Sequence, residues 1–200
     1  MNKNSLFVVF FVSVLSSFIM CIEFDISIGN AINKSDNITI KRVQYSDINF
    51  KANYKTKGFK SPHYYSIRLR QEIFHKKIEF ELVHHKLYVD SGLPKSITKF
   101  EITDGFNLIL FNILSNISSN FSYRIGLGTV VSHPHIIIDG SSNFIRGGGL
   151  IPKYWSDGYY WDGISSQLSI LYSRSIRKWI FNLETKLVYA SSNIPVVNGT

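Results

Sequence analysis

One cysteine, Cys21, stands among 200 residues. A lone cysteine makes no intrachain disulfide, so no disulfide framework holds this chain. Neither Cys-x-x-Cys nor His-x-x-x-His occurs, so no compact metal motif is present. Charged residues make up only 18% against 44% hydrophobic and 14% aromatic, a balance that argues against disorder. After Cys21 no stretch sustains a 3.6-residue apolar period, which leaves little room for amphipathic helices. The length fits one domain.

The formal net charge is +8, which raises the question of nucleic acid or an anionic surface as partner. The basic residues do not form one block. Lys51, Lys55, Lys57 and Lys60 crowd a segment that also holds Tyr54 and Phe59, while most others lie among strand-like stretches beside glutamates. Nucleic acid is therefore not expected as a partner.

The chain opens on Met1, Asn2, Lys3 and Asn4, followed by an apolar run from Leu6 to Met20. That order matches the n-region and h-region of a secretory signal, and the run is short for a spanning helix. The expectation is a signal peptide over 1–21, cleaved close to Cys21, and a single mature domain over 22–200.

Period-two alternation dominates the rest. In the segment from Ile22 to Gly29, Ile22, Phe24, Ile26 and Ile28 oppose Glu23, Asp25, Ser27 and Gly29, a two-faced strand. Further strands are predicted over about His63–Phe74, Lys77–Val89, Lys99–Ile113, Asn120–Ser132, Tyr159–Ser173 and Lys178–Ala190. In the strand over Lys99–Ile113, Phe100, Ile102, Phe106, Leu108 and Leu110 are expected on one face and Glu101, Thr103, Gly105 and Asn107 on the other.

Long and short connections alternate between these strands, with long segments at 30–62 and 134–158 and tight turns near His75 and Ser175. This is the pattern of short periplasmic turns and long surface loops. The predicted fold is all-β: an antiparallel up-and-down transmembrane β-barrel of about eight strands, apparently lacking its last strand, in the bacterial outer membrane. Its apolar face would meet lipid. Arg68, Arg70, Glu72, Glu79, Glu81, Glu101, Arg124, Glu184 and Lys186 would pair inside a packed polar lumen.

Several segments carry a family likeness. Ser61 to Arg68 (SPHYYSIR), Glu81 to Asp90 (ELVHHKLYVD), Phe100 to Asn112 (FEITDGFNLILFN) and Gly126 to His135 (GLGTVVSHPH) resemble the eight-stranded outer-membrane barrels that include the rhizobial lipid A oxidase. The resemblance runs through most of the mature chain. It implies a barrel and, for an active member, oxygen-dependent oxidation of the proximal glucosamine of lipid A. It assigns no catalytic residue here.

Five of the six histidines, His63, His84, His85, His133 and His135, fall at the strand ends that the loop pattern places outside. Pairing Tyr88 with Phe100 would set His84 opposite Asp104 on the lipid-facing side, with Lys86 and Tyr88 on the same face. Ionisable groups there are costly unless they reach the headgroup layer or serve a function. A catalytic set of His84, Asp104 and His135 is one candidate, and with His133 or His135 as third ligand it could hold a divalent metal as an oxygen-activating facial triad. A histidine with Ser132 as nucleophile would instead make a hydrolase. The other reading is an interfacial girdle of Tyr64, Tyr65, Tyr88, Tyr159, Tyr160 and Trp161, with Lys55, Lys57, Lys86, Tyr88 and His133 touching lipid headgroups. Lipopolysaccharide and outer-membrane lipids are the expected partners, along with the barrel-assembly machinery during insertion. The sequence assigns no cofactor and leaves metal and enzymatic activity open.

Overall fold

The computed structural model describes residues 22–42, 44–61, 63–73, 76–102, 105–139, 141–142 and 159–193. All regular structure among them is β. Residues 1–21, expected to be a signal peptide, and His75, Asp104 and most of the 134–158 segment, Gly147 to Gly149 included, lie outside the described residues.

Thirteen strands form two antiparallel sheets. The first contains β1 (Glu23–Gly29), β4 (Tyr64–Ile73), β5 (Lys76–His84), β8 (Phe106–Asn116), β9 (Phe121–Ser132), β12 (Tyr160–Ile176) and β13 (Trp179–Ser191), in that spatial order. The second contains β11 (Ser141–Ser142), β10 (His135–Ile138), β7 (Ile97–Ile102), β6 (Leu87–Ser91), β3 (Ile48–Lys55) and β2 (Asp36–Ile40). The first sheet is an up-and-down path interrupted by three excursions. All three leave and re-enter at the same end of it, and together they build the second sheet.

Alternation sets the faces of the first sheet. Phe24, Ile26 and Ile28 of β1 pair with Leu69, Ile67 and Tyr65 of β4, and Leu69 and Ile67 pair onward with Phe80 and Leu82 of β5. This outward face continues through Phe111, Leu127, Leu168 and Leu187, all well exposed. On the inward face the register sets Arg68 opposite Glu81 and Arg70 opposite Glu79, opposite charges across a strand pair.

The sheet is strongly curled. β4 and β13 are five places apart in it, so in a flat sheet they would be about 24 Å apart. Yet Arg68 on β4 bonds Glu184 on β13, and Lys186 on β13 bonds Glu81 on β5. The concave side is filled rather than hollow, because Arg124, Glu79 and Glu81 are fully buried. Toward the second sheet it becomes apolar, with Val83, Leu108, Leu110 and Val130 packed together. Close packing dictates Gly126, where a Cβ would lie 1.9 Å from Asn112 Oδ1, an oxygen that accepts from Gln167. Gly163, at φ +121°, sits in the register shift between Trp161 and Ile164, where a side chain would strike the Ser191 carbonyl.

The second sheet has its own apolar core of Ile40, Ile48, Ile97, Ile136 and Ile138. Its Phe50 and Phe100 rings meet edge to face at 6.0 Å.

The first sheet holds seven strands, as many as the sequence marks out; an eighth is not seen, and no ladder joins β1 to β13 among the described residues. Four sequence expectations are revised here. The segment 30–62 is not simply a loop, since it supplies β2 and β3. The strands expected over Lys77–Val89 and Lys99–Ile113 are each divided between the two sheets, at His85 and Lys86 in one and before Gly105, at φ +126°, in the other. The second break reverses the faces expected for β8: Leu108, Leu110 and Asn112 point inward, whereas Phe111 and Ile113 are outward. Glu101 accordingly belongs to the second sheet, where it pairs with Lys99 rather than with the inward charges.

Candidate functional site

The end of the first sheet from which the excursions leave carries a groove of about 330 Å³ on the outward face. Its floor is aliphatic: Leu82 of β5, Ile109 of β8 and Val131 of β9. Tyr65, Tyr159 and Trp161 give it aromatic walls, and His84 and Asn107 are its polar groups. Successive strands deliver these side chains because the strand-borne ones are outward positions near the end where β5 and β9 leave for the second sheet and β4, β8 and β12 return from it.

His84 is held on both sides. Its ring stacks on Tyr65, directly opposite in the register, with centroids 5.0 Å apart and planes 17° apart. Its Nδ1 is 2.9 Å from Asn107 Oδ1. An amide oxygen only accepts, so Nδ1 carries a proton and donates to it. Nε2 is buried and has no hydrogen-bond partner among the described residues. Trp161 is likewise fixed: its Nε1–H donates to Thr129 Oγ1 at 2.8 Å, and Thr129 donates to the Gly163 carbonyl.

His85, the next residue, serves the interior of the junction. Its Nε2 lies 3.1 Å from Asn33 Oδ1, and the rings of Tyr64 and Phe106 meet it edge-on at 5.7 and 6.5 Å. Burial, reinforced by the neighbouring His84, lowers its pKa to about 4, so it is neutral at ordinary pH.

Among the described residues the sequence-predicted set is divided between the sheets, His84 on the first and His135 on the second. The neighbour of His84 across the ladder is Asn107, while Asp104 lies outside the described residues. Tyr88 pairs with Glu101 rather than Phe100, because the strand breaks shift the register. His135 is in the second sheet, exposed, with Nδ1 2.8 Å from Lys99 Nζ and Glu101 opposite it. His133 packs on Tyr159 with centroids 4.7 Å apart, beside the groove, and its backbone N–H donates to the Gly105 carbonyl. Ser132 is fully buried on the inward face, the opposite side of β9 from the groove, which separates it from His84 as a nucleophile would not be. Among the described residues no three His, Cys, Asp or Glu side chains group to hold a metal.

Lys55, Lys57 and Lys86, expected at the lipid headgroups, lie in the second sheet and at its junction. Lys57 Nζ sits 4.3 Å from the Tyr88 ring centroid and Lys86 Nζ 5.8 Å from it. Lys86 is buried rather than presented to headgroups, and its ammonium donates to the Lys60 carbonyl at 2.6 Å. Lys55 pairs with Asp90 at 2.7 Å on the surface.

Sequence reasoning missed Asn107, Thr129 and the aliphatic floor. Asn107 had a usable signal, as a polar residue beside the strand break, but the reversed faces of β8 hid it. No protein-family model matches this chain, and no curated protein and no solved structure matches it significantly, so the likeness to the lipid A oxidase family rests on the sequence segments alone.

Proposed function

We propose that this chain is an outer-membrane β-barrel protein of the bacterial cell surface, whose first sheet spans the bilayer and whose rim and second sheet contact lipopolysaccharide. One observation carries the reading: the polarity of the first sheet is inverted relative to a protein folded in water. Its concave side buries Arg68, Arg124, Glu79 and Glu81, while Phe24, Ile28, Phe111, Leu127, Ile164, Leu183 and Leu187 are 62%, 74%, 65%, 69%, 66%, 71% and 74% exposed on the other. So broad an apolar face has a solvent of its own kind in hydrocarbon. β12 and β13, at 17 and 13 residues, are long enough to cross at a tilt.

The aromatic groove and the Lys57–Tyr88 pair then lie toward the headgroup layer, where amphipathic rings and ammonium groups are favourable. The test is Leu127→Arg. In a bilayer an arginine on the lipid face costs about 2–4 kcal/mol near the midplane. At a water-exposed position the same change is worth within about 0.5 kcal/mol. Urea unfolding of vesicle-refolded protein separates the two, and an unchanged stability sinks the membrane reading.

A second reading has one observation in its favour, the oriented His84 whose Nε2 has no hydrogen-bond partner among the described residues. In that reading the chain is a lipid A-modifying enzyme, oxidase-like, with its site at the lipid-facing rim and His84 as a base. Mass spectrometry of lipid A from cells expressing the protein, against His84→Ala, tests it. A mass change absent from the variant supports the enzyme; no change in either strain leaves the binding role.

A further inference from the structure

We infer that the turn end of the first sheet, the end away from the second sheet, is a docking rim for an anionic phospholipid leaflet, whose phosphodiester groups meet Lys76, Arg174, Arg177 and Lys178. The inference rests on the membrane reading and adds the lipid chemistry at the rim opposite the groove. Three observations carry it.

First, the cations at this end are open to solvent and unpaired. Lys76, Arg174, Arg177 and Lys178 lie at the β4–β5 and β12–β13 turns, all exposed, and none has an ion pair or a side-chain hydrogen bond among the described residues. Lys77 shows the contrast, with Glu23 at 3.7 Å. Glu23 also serves Arg70, which leaves Glu72, opposite Lys77 in the register, as the other exposed carboxylate described there. Residues 1–21 and 74–75, which adjoin this end in the chain, hold no Asp or Glu. Asp104, Asp157 and Asp162, whose side chains are outside the description, adjoin the starts of β8 and β12, at the other end. Second, aromatic rings border these cations. Arg174 stands opposite Phe181 and Ile176 opposite Trp179 across the ladder, and Phe121 packs on Tyr172 with centroids 5.1 Å apart. Trp179 is 73% exposed, and tryptophan and tyrosine rings favour the headgroup level. Third, β12 runs on from Tyr172 to Ile176 past its last pairing with β9, so the β12–β13 tip projects and carries Arg174, Arg177 and Lys178 together. Three like charges on one tip repel one another in water, and the phosphates of a leaflet supply the counter-charge.

The probe is phosphatidylcholine vesicles, with and without phosphatidylglycerol, into which the full chain is refolded. Trp155→Phe with Trp161→Phe leaves Trp179 as the sole tryptophan, and its quenching by brominated phosphatidylglycerol against brominated phosphatidylcholine reads which lipid borders the rim. The expected result is a preference for the anionic lipid of at least about threefold, weakened by salt. It is abolished when Lys76→Gln, Arg174→Gln, Arg177→Gln and Lys178→Gln are combined, and kept in the charge-preserving pair Arg174→Lys and Arg177→Lys. Equal quenching by the two lipids without those changes, or an undiminished preference in the fourfold glutamine variant, overturns the inference. Protease protection scores insertion separately. Inserted protein with no preference rejects the rim alone. Uninserted protein that floats with phosphatidylglycerol vesicles only, and loses this in the glutamine variant, rejects the membrane-spanning reading and keeps the rim; loss of both rejects both.

Discussion

Arg68 on β4 donates to Glu184 on β13 at 2.5 Å, across the concave side of a sheet in which the two strands are five places apart. The same guanidinium also binds Asp25 at 2.7 Å and Glu81 at 2.9 Å. It therefore ties β1, β4, β5 and β13 together. Replacing Arg68 by Ala leaves carboxylates without their cation in a buried place, and breaking such a set costs about 3–5 kcal/mol. Equilibrium urea unfolding checks this; a loss below about 1 kcal/mol would show that the curl does not depend on the ion pairs.

Gly126 offers a steric counterpart. A methyl group there would overlap Asn112 Oδ1 and press on Gln167. Both side chains are buried and bonded to Glu81, so neither has a free direction in which to retreat. Gly126→Ala is expected to cost about 1–3 kcal/mol, typical of overpacking. Its partial rescue by Asn112→Ala in the double variant identifies the clash as the cause.

His85 makes stability depend on pH. Its folded pKa of about 4 lies below the usual 6.5, so between those values the unfolded chain binds a proton that the folded chain refuses. The contribution is fully present above pH 6.5, declines as pH falls, and is gone below about 4. The interval corresponds to roughly 3 kcal/mol. Unfolding free energies at pH 7.5 and 5.0 for the wild type and His85→Gln check it, because the carboxylates titrate in both proteins and only the wild type carries the histidine's share. Parallel pH profiles would count against the burial.

The filled concavity predicts an absence of ion flow. Five cations, Arg68, Arg70, Lys77, Arg124 and Lys186, meet five carboxylates, Glu23, Asp25, Glu79, Glu81 and Glu184. They satisfy one another, and the central ones exclude water. Planar bilayers carrying the protein should show no discrete conductance steps; regular openings would mean that the charge cluster parts in the membrane.

The alternation of β1, β4, β5 and β13 was legible because their apolar and polar positions are of different chemical kind: Ile26 against Asp25, Leu69 against Arg68, Leu183 against Glu184. β8 was not, because its sequence FNLILFNIL is apolar on both faces. Its inward half packs with Val83 and Val130, and its outward half shows Phe111 and Ile113. Composition cannot tell such faces apart; only the register can, and that depends on the break before Gly105. His84 lies on the outward face, and the reversed faces of β8 hid its hydrogen-bond partner Asn107. The groove was beyond the sequence because its members come from five strands whose relative heights are set by the ladders.

The three excursions also constrain one another. β6 and β7 occupy the middle of the second sheet, with β3 and β2 on one flank and β10 and β11 on the other. Shortening that middle hairpin would part the sheet and uncover Ile40, Ile48, Ile136 and Ile138 to water. Lengthening the turn around Tyr45 would disturb no ladder. Surface variation in such a molecule has to be written at the margins, in the tips and flanking strands, while the central hairpin is held fixed by neighbours that arrive from far away in the chain.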